Sequence, residues 1–196
     1  LFKQIILLNE RIYTKEELGL NNDEMKHILQ IDIKHRLKYN SVLLQSFLLK
    51  LNGYIVFCNS DIFFDKTINN LRKSCLSTTK SVYTLLRFEY NNQQKLQHCK
   101  LFLHPRNNLP RPDSQDVWIY HTSQLSIDTS LIKDTDFMLG MPGCDNKITY
   151  IFHKHGYKCI NEPWNVKTYH YHTTQIRNYG RNDTIPDPYL FVLPIC

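Results

Sequence analysis

The sequence contains no alanine at all. Asn, Lys and Ile are plentiful instead, a bias that AT-rich genomes produce and that says nothing about mechanism. No apolar run approaches the roughly 18 residues a helix needs to span a bilayer, which argues against a transmembrane segment. Leu1–Glu10 has no small-residue cleavage site, so no secretory signal is read there. The six cysteines, Cys58, Cys75, Cys99, Cys144, Cys159 and Cys196, form no C-x-x-C pair, which argues against a structural zinc knot. Their spacing does not suggest a secreted disulfide framework either, so reduced thiols and a cytoplasmic setting are expected. Long Lys/Arg blocks are absent, and with them the signature of a nucleic-acid-binding arm. An Asn-Asp-Thr glycosylation pattern at Asn182–Thr184 is too short to carry weight.

What is present describes an ordinary globular chain. Its 196 residues, 42% hydrophobic and 21% charged, suit one domain with a packed core. The net charge of +6 fits either a solvated basic surface or attraction to an anion such as a nucleotide diphosphate. There is no internal repeat and no linker that would divide the chain. Gln4–Leu8 reads as a buried strand, and Thr14-Lys-Glu-Glu17 has capping-box spacing, predicting a short helix. Ile28–Ile33 reads as a second strand. Apolar residues from Arg36 to Leu51 recur at helical spacing, and Asn52-Gly53 stops that helix. Tyr54–Cys58 is a short buried strand. Asp65 is placed to cap a helix whose core side is Ile68, Leu71 and Cys75. Strands are predicted at Val82–Phe88, Lys100–Leu103, Val117–Tyr120, Tyr157–Ile160 and Val166–His172. A helix is predicted from Asp145 to His155 with Gly156 as its stop. Helices alternate with apolar strands, so the expected class is α/β with a mostly parallel sheet flanked by helices.

Several residues stand where chemistry is possible. The strand Tyr54–Cys58 runs straight into Asn59-Ser60-Asp61. In open α/β sheets ligands bind beyond the carboxyl ends of strands, and a carboxylate there can hold a hard divalent cation. The plainer account is that Asn59 and Asp61 form a turn. Asp145 follows the turn Gly140-Met-Pro-Gly143 and is suited both to capping a helix and to acting as a general base. His170 and His172 lie two apart on a strand and so share a face, where paired imidazoles can bind a metal. Arg36 and Arg87 are candidates for meeting a phosphate. Asp116 lies in Ser114-Gln-Asp-Val-Trp118, beside an aromatic, as in sites where a sugar stacks on a ring; the simpler role for Trp118 is core. The remaining histidines, among them His98, His104, His121, His153 and His155, read as ordinary.

The segment Gly53-Tyr-Ile-Val-Phe-Cys-Asn-Ser-Asp-Ile resembles the D-x-D segment of GT-A-fold glycosyltransferases. With Ser114–Trp118 and Gly140–Asn146 it resembles a glycosyltransferase-like family of large DNA viruses and bacteria. The Leu8-Asn-Glu-Arg11 start and Tyr169–Arg177 also fit, and the resemblance runs from about Lys3 to Pro194. It implies a GT-A fold, a UDP- or GDP-sugar donor, a glycan or protein hydroxyl acceptor, and Mn²⁺ or Mg²⁺ bridging the diphosphate. Asp61 would be the main metal ligand. Asn59 departs from the pattern by standing where an Asp is usual. His170 or His172 would complete the metal shell, Asp145 would be the acceptor-side carboxylate, and Asp116 would touch the transferred sugar. Ser60 lies within the donor loop. Gln4–Leu8 would be the first strand of such a sheet or the second; in the second case part of the donor pocket lies outside this chain.

The expected function is therefore metal-assisted glycosyl transfer in the cytoplasm, the host's where the source is a virus. Two other classes fit the same residues. One is a metal-dependent hydrolase or nuclease built on His170, His172 and Asp61. The other is a non-catalytic carbohydrate-binding domain, for which Asn59 is the argument. A sugar nucleotidyltransferase would need a Gly-rich loop near the start of the chain, and none is seen.

Overall fold

A computed structural model describes residues 2–91, 95–171, 180 and 183–195. Its elements run in the order β1 (Ile5–Asn9), α1 (Asn22–Met25), β2 (Ile28–Asp32), α2 (Tyr39–Leu48), β3 (Tyr54–Cys58), β4 (Ile62–Phe64), 3₁₀ turns at Lys66–Lys73 and Cys75–Ser77, β5 (Ser81–Leu86), β6 (Phe88–Tyr90), a 3₁₀ turn at Leu96–His98, β7 (Lys100–Leu101), β8 (Gln115–His121), α3 (Thr129–Asp134), α4 (Cys144–Lys154), β9 (Lys158–Ile160) and β10 (Thr168–Tyr171). No helix among the described residues is long and apolar enough to cross a membrane.

The class is α/β, but the sheets are mixed rather than mostly parallel. The larger sheet has the order β3-β8-β5-β9. Strand β8 runs antiparallel to both β3 and β5, and only β9 lies parallel to its neighbour β5. The reason is the path of the chain. After β5 it continues through Arg87 into β6, in a second sheet of order β4-β10-β6-β7, and returns from the far side to insert β8 between β3 and β5. Strands β1 and β2 form a separate parallel pair.

Side-chain alternation on β8 builds a core on each face of the larger sheet. Trp118 and Tyr120 face one side, with Phe57 of β3, Tyr39, Val42 and Leu43 of α2, Leu131 of α3, and Ile148, Ile151 and Phe152 of α4. Val117 and Ile119 face the other, with Tyr83, Leu85, Ile68, Leu71 and Leu76. Each such side chain, fully buried, contributes about 1.5–3 kcal/mol. A smaller core of Leu86, Phe88, Leu101 and Tyr169 underlies the second sheet.

Local departures from expectation have local causes. Thr14 and Glu17 do make reciprocal capping-box bonds, at 3.2 and 2.8 Å, but they close a turn. The short helix that follows is capped by Asn21 and Glu24. Asp65 caps as expected, taking the amide of Thr67 at 2.8 Å. The element it starts is 3₁₀, so Leu76 is buried in place of Cys75, which is exposed. The α2 helix is shorter than its apolar pattern, and Phe47 and Leu48 near its end stay exposed.

Candidate functional site

Strand β3 ends at Cys58, paired with Val117 of β8. The chain then leaves the sheet in a tight turn, with the Ile62 amide on the Asn59 carbonyl at 3.3 Å. Ser60 is exposed at the tip. Asn59 is tied back to β8 twice: its backbone amide reaches the Asp116 carbonyl at 3.3 Å, and its Nδ2 donates to Asp116 Oδ1 at 2.8 Å. Because Nδ2 faces Asp116, the carbonyl oxygen of the planar Asn59 amide points away from that carboxylate.

Asp61 meets β10. The Tyr171 amide donates to the Asp61 carbonyl at 2.8 Å, and His170 Nε2 lies 3.0 Å from Asp61 Oδ2. The other ring nitrogen of His170, Nδ1, lies 3.2 Å from Glu89 Oε2. Glu89 in turn receives Arg87 Nε on its second oxygen at 2.7 Å. Arg87 Nη1 donates to Ser114 Oγ at 2.8 Å and to Asp116 Oδ2. Asp61, His170, Glu89, Arg87, Asp116 and Asn59 thus form a continuous chain of contacts, drawn from β10, β6, β8 and the segments beside β3 and β5, whose two ends, Asp61 and Asn59, lie two residues apart on one turn. The Arg87 guanidinium lies over the Phe102 ring, 4.4 Å from its centroid, with Arg111 on the same ring at 5.2 Å.

Burial and hydrogen bonding compete to set the protonation of these groups. Burial pushes the Asp116 carboxyl up, against the opposing charge of Arg87. It also pushes Glu89 up, but hydrogen bonds from His170 and Arg87 prevail and hold Glu89 below the ordinary carboxylate range. For His170, burial disfavours the charged ring. The hydrogen bonds to Asp61 and Glu89 more than offset this, and the pKa rises to about 9.

Asp145 stands in the first turn of α4, after a turn that ends in Gly143 at φ 81°. A β-carbon on Gly143 would come within 2.8 Å of the Tyr189 hydroxyl oxygen, so both conformation and space call for glycine there. Asp145 accepts a bond from Cys144 Sγ at 3.1 Å. Burial drives its pKa well above the usual range, and the charge of Asp116 drives it further. The two carboxylates therefore sense one another across the space between β8 and α4. Arg36 lies against the same turn, its Nη2 donating to the Gly140 carbonyl at 3.2 Å.

The structure thus brings Asn59, Asp61, Arg87, Asp116 and His170 into direct contact and puts Asp145 within electrostatic reach of them. Arg36 stands apart from this chain of contacts, and His172 lies outside the described residues. Arg87, expected as a phosphate contact, faces inward onto carboxylates; its side chain is 13% exposed. Among the described residues no group of three or more His, Cys, Asp or Glu side chains is arranged to hold a metal. Among the described residues the donors in contact at this point are the Asp61 carboxylate and His170 Nε2, with the Asn59 amide two residues along the same turn. That set suits a divalent cation which takes its other ligands from phosphate and water, and does not make a closed protein cage. Glu89 was not singled out from the sequence, although Arg87 and Glu89, two apart on extended chain, share a face.

Compared with known proteins, the chain matches no family model, no curated protein and no solved structure.

Proposed function

We propose that the chain is a glycosyltransferase of the GT-A kind, moving a sugar from a UDP- or GDP-sugar to a hydroxyl group on a glycan or protein. One observation carries the reading: Asn59, Asp61, Asp116 and His170, from three distant stretches of sequence, are joined in one chain of contacts at the end of β3. That is the convergence the resemblance implies for a donor site.

In this reading Asp61, the Asn59 carbonyl and His170 Nε2 hold Mn²⁺ or Mg²⁺, with His172 a further candidate. When bound, the cation would neutralise charge on the diphosphate leaving group. Arg36, anchored on the Gly140 turn and apart from Asp61, keeps N–H groups that can meet a phosphate only where the donor extends to that turn. Asp116, buried with one oxygen on Arg87 and the other on Asn59, acts in this reading by orienting the Asn59 amide rather than by touching the sugar. Asp145 accepts the proton of the acceptor hydroxyl. It can do so only when ionised, and because burial and the Asp116 charge raise its pKa well above the usual carboxylate range, transfer should increase as pH rises. Free thiols at Cys58, Cys75, Cys144 and Cys159 agree with a reducing, cytoplasmic location.

A second reading, a carbohydrate-binding domain without turnover, is favoured by Asn59, a neutral amide where the resemblance expects a carboxylate. Calorimetric titration with UDP- and GDP-sugars in Mn²⁺, and again in EDTA, separates the two. Transfer requires metal-dependent binding that Asp61→Ala abolishes while the folded far-UV spectrum remains. Sugar binding indifferent to EDTA and to Asp61→Ala would favour the second reading and overturn the first.

A further inference from the structure

We infer that Glu89 is the positioning residue of His170, holding the imidazole through Nδ1 so that Nε2 is presented to Asp61. Its expected consequence for cation binding rests on the donor-site reading above; the positioning itself does not.

The geometry begins in the backbone. Strand β10 is hydrogen-bonded on both sides, to β4 and to β6. His170 is the direct cross-strand partner of Glu89 in the parallel ladder and of Ile62 in the antiparallel one. Directly opposed residues on adjacent strands project to the same face, so the two side chains meet by register. On the other flank, Asp61 immediately precedes β4. His170 therefore sits between two carboxylates with one ring nitrogen for each, at 3.2 Å to Glu89 and 3.0 Å to Asp61.

Each oxygen of Glu89 has a separate partner: Oε1 takes Arg87 Nε at 2.7 Å, and Oε2 faces His170. Arg87 is held in turn by Ser114 and Asp116. Glu89 is thus braced against β8 and has a fixed direction. Asp61 lies on a turn just beyond the end of β3, its side chain 35% exposed. An ionised carboxylate only accepts hydrogen bonds, so the Nδ1 facing Glu89 carries a proton. Nε2 facing Asp61 carries a proton in the metal-free chain by the same rule; a cation at Asp61 would displace that proton and take the Nε2 lone pair, while Nδ1 keeps its proton on Glu89. Histidines that bind metals commonly donate their second N–H to a carboxylate in this way, which fixes tautomer and ring direction.

Two measurements test this. The first is NMR of the Nδ1–H proton of His170 in metal-free chain. Wild type should show it, slowed in exchange by the hydrogen bond. Glu89→Ala should lose it, and Glu89→Gln, whose amide oxygen still accepts, should keep it. Persistence of the signal in Glu89→Ala overturns the inference. The second is titration with Mn²⁺ alone. Glu89→Ala should weaken binding about 10–100-fold, with Glu89→Gln recovering much of it. Made in a His170→Ala background, Glu89→Ala should cost less than about threefold, because its effect passes through the ring. An equal loss in both backgrounds would mean that Glu89 binds the cation itself or supports the fold generally, and would refute positioning. A wild type that shows the Nδ1–H signal but binds no Mn²⁺ would support Glu89 as the orienting group and bring down the metal reading alone.

Discussion

Replacing Arg87 by methionine removes the cation that Asp116 and Glu89 share while keeping much of the apolar stem against Phe102. The Arg87 and Asp116 side chains are 13% and 8% exposed, so this is a buried pair. Deleting one member of a buried pair strands the other charge, a change that typically costs about 3–5 kcal/mol. The bond to Ser114 is lost as well, and Glu89 keeps His170. In a domain of this size each kcal/mol moves the midpoint by about 2–4 °C, so Tm should fall by roughly 6–20 °C at pH 7. The penalty should shrink on acidification. Burial already favours the protonated form of Asp116, and removing Arg87 removes the largest influence that opposes it, leaving the weaker pull of the His170 charge. Protonation removes the stranded charge, so stability of the variant relative to wild type should rise as pH falls. Guanidinium denaturation at pH 7 and near pH 5 measures both effects. Adding Asp116→Asn to Arg87→Met should recover part of the loss, because the two residues are in contact and their effects are not additive. A cost below about 1 kcal/mol at pH 7, unchanged at pH 5, would refute the buried-pair argument.

Two further outcomes follow from single residues. Gly143→Ala should destabilise by at least about 1–2 kcal/mol in urea titration, since φ 81° is left-handed and the new methyl meets the Tyr189 hydroxyl; a change within about 0.5 kcal/mol would show that the turn relaxes freely. His170, at about 9 when folded against 6.5 ordinarily, stabilises the metal-free protein fully below pH 6.5 and loses that contribution as pH rises toward 9. After discounting for screening, wild type should lose on the order of 1–2 kcal/mol relative to His170→Gln between those limits in parallel denaturant series, and parallel stability curves would contradict the carboxylate–histidine contacts.

The parts of the fold legible in the chain are those whose causes are local. Tyr54–Cys58 was read with its true bounds because an apolar run is closed by Gly53 on one side and Asn59-Ser60-Asp61 on the other. The α4 helix was legible from an acidic first turn, Ile148, Ile151 and Phe152 at helical spacing, and Gly156 at φ 79° beyond its end. The candidate residues were recognisable as types, since a carboxylate just beyond a strand or a histidine pair on alternating chain is visible without coordinates. What required tertiary structure was every relation between distant segments. Strand direction is one, because whether β8 pairs parallel or antiparallel depends on the route of the chain through the second sheet and not on the residues of β8. The orientation of Arg87 is another: its guanidinium turns inward because the return strand puts Asp116 beside it, a partner 29 residues away. Glu89 carries no motif and gains its role only when β10 pairs with β6 across 81 residues. Local sequence decides which segments form elements and which polar groups they can offer; the folding of one sheet beside another decides which of those groups meet, because hydrogen bonds and charges act over a few ångströms of space whatever the distance along the chain.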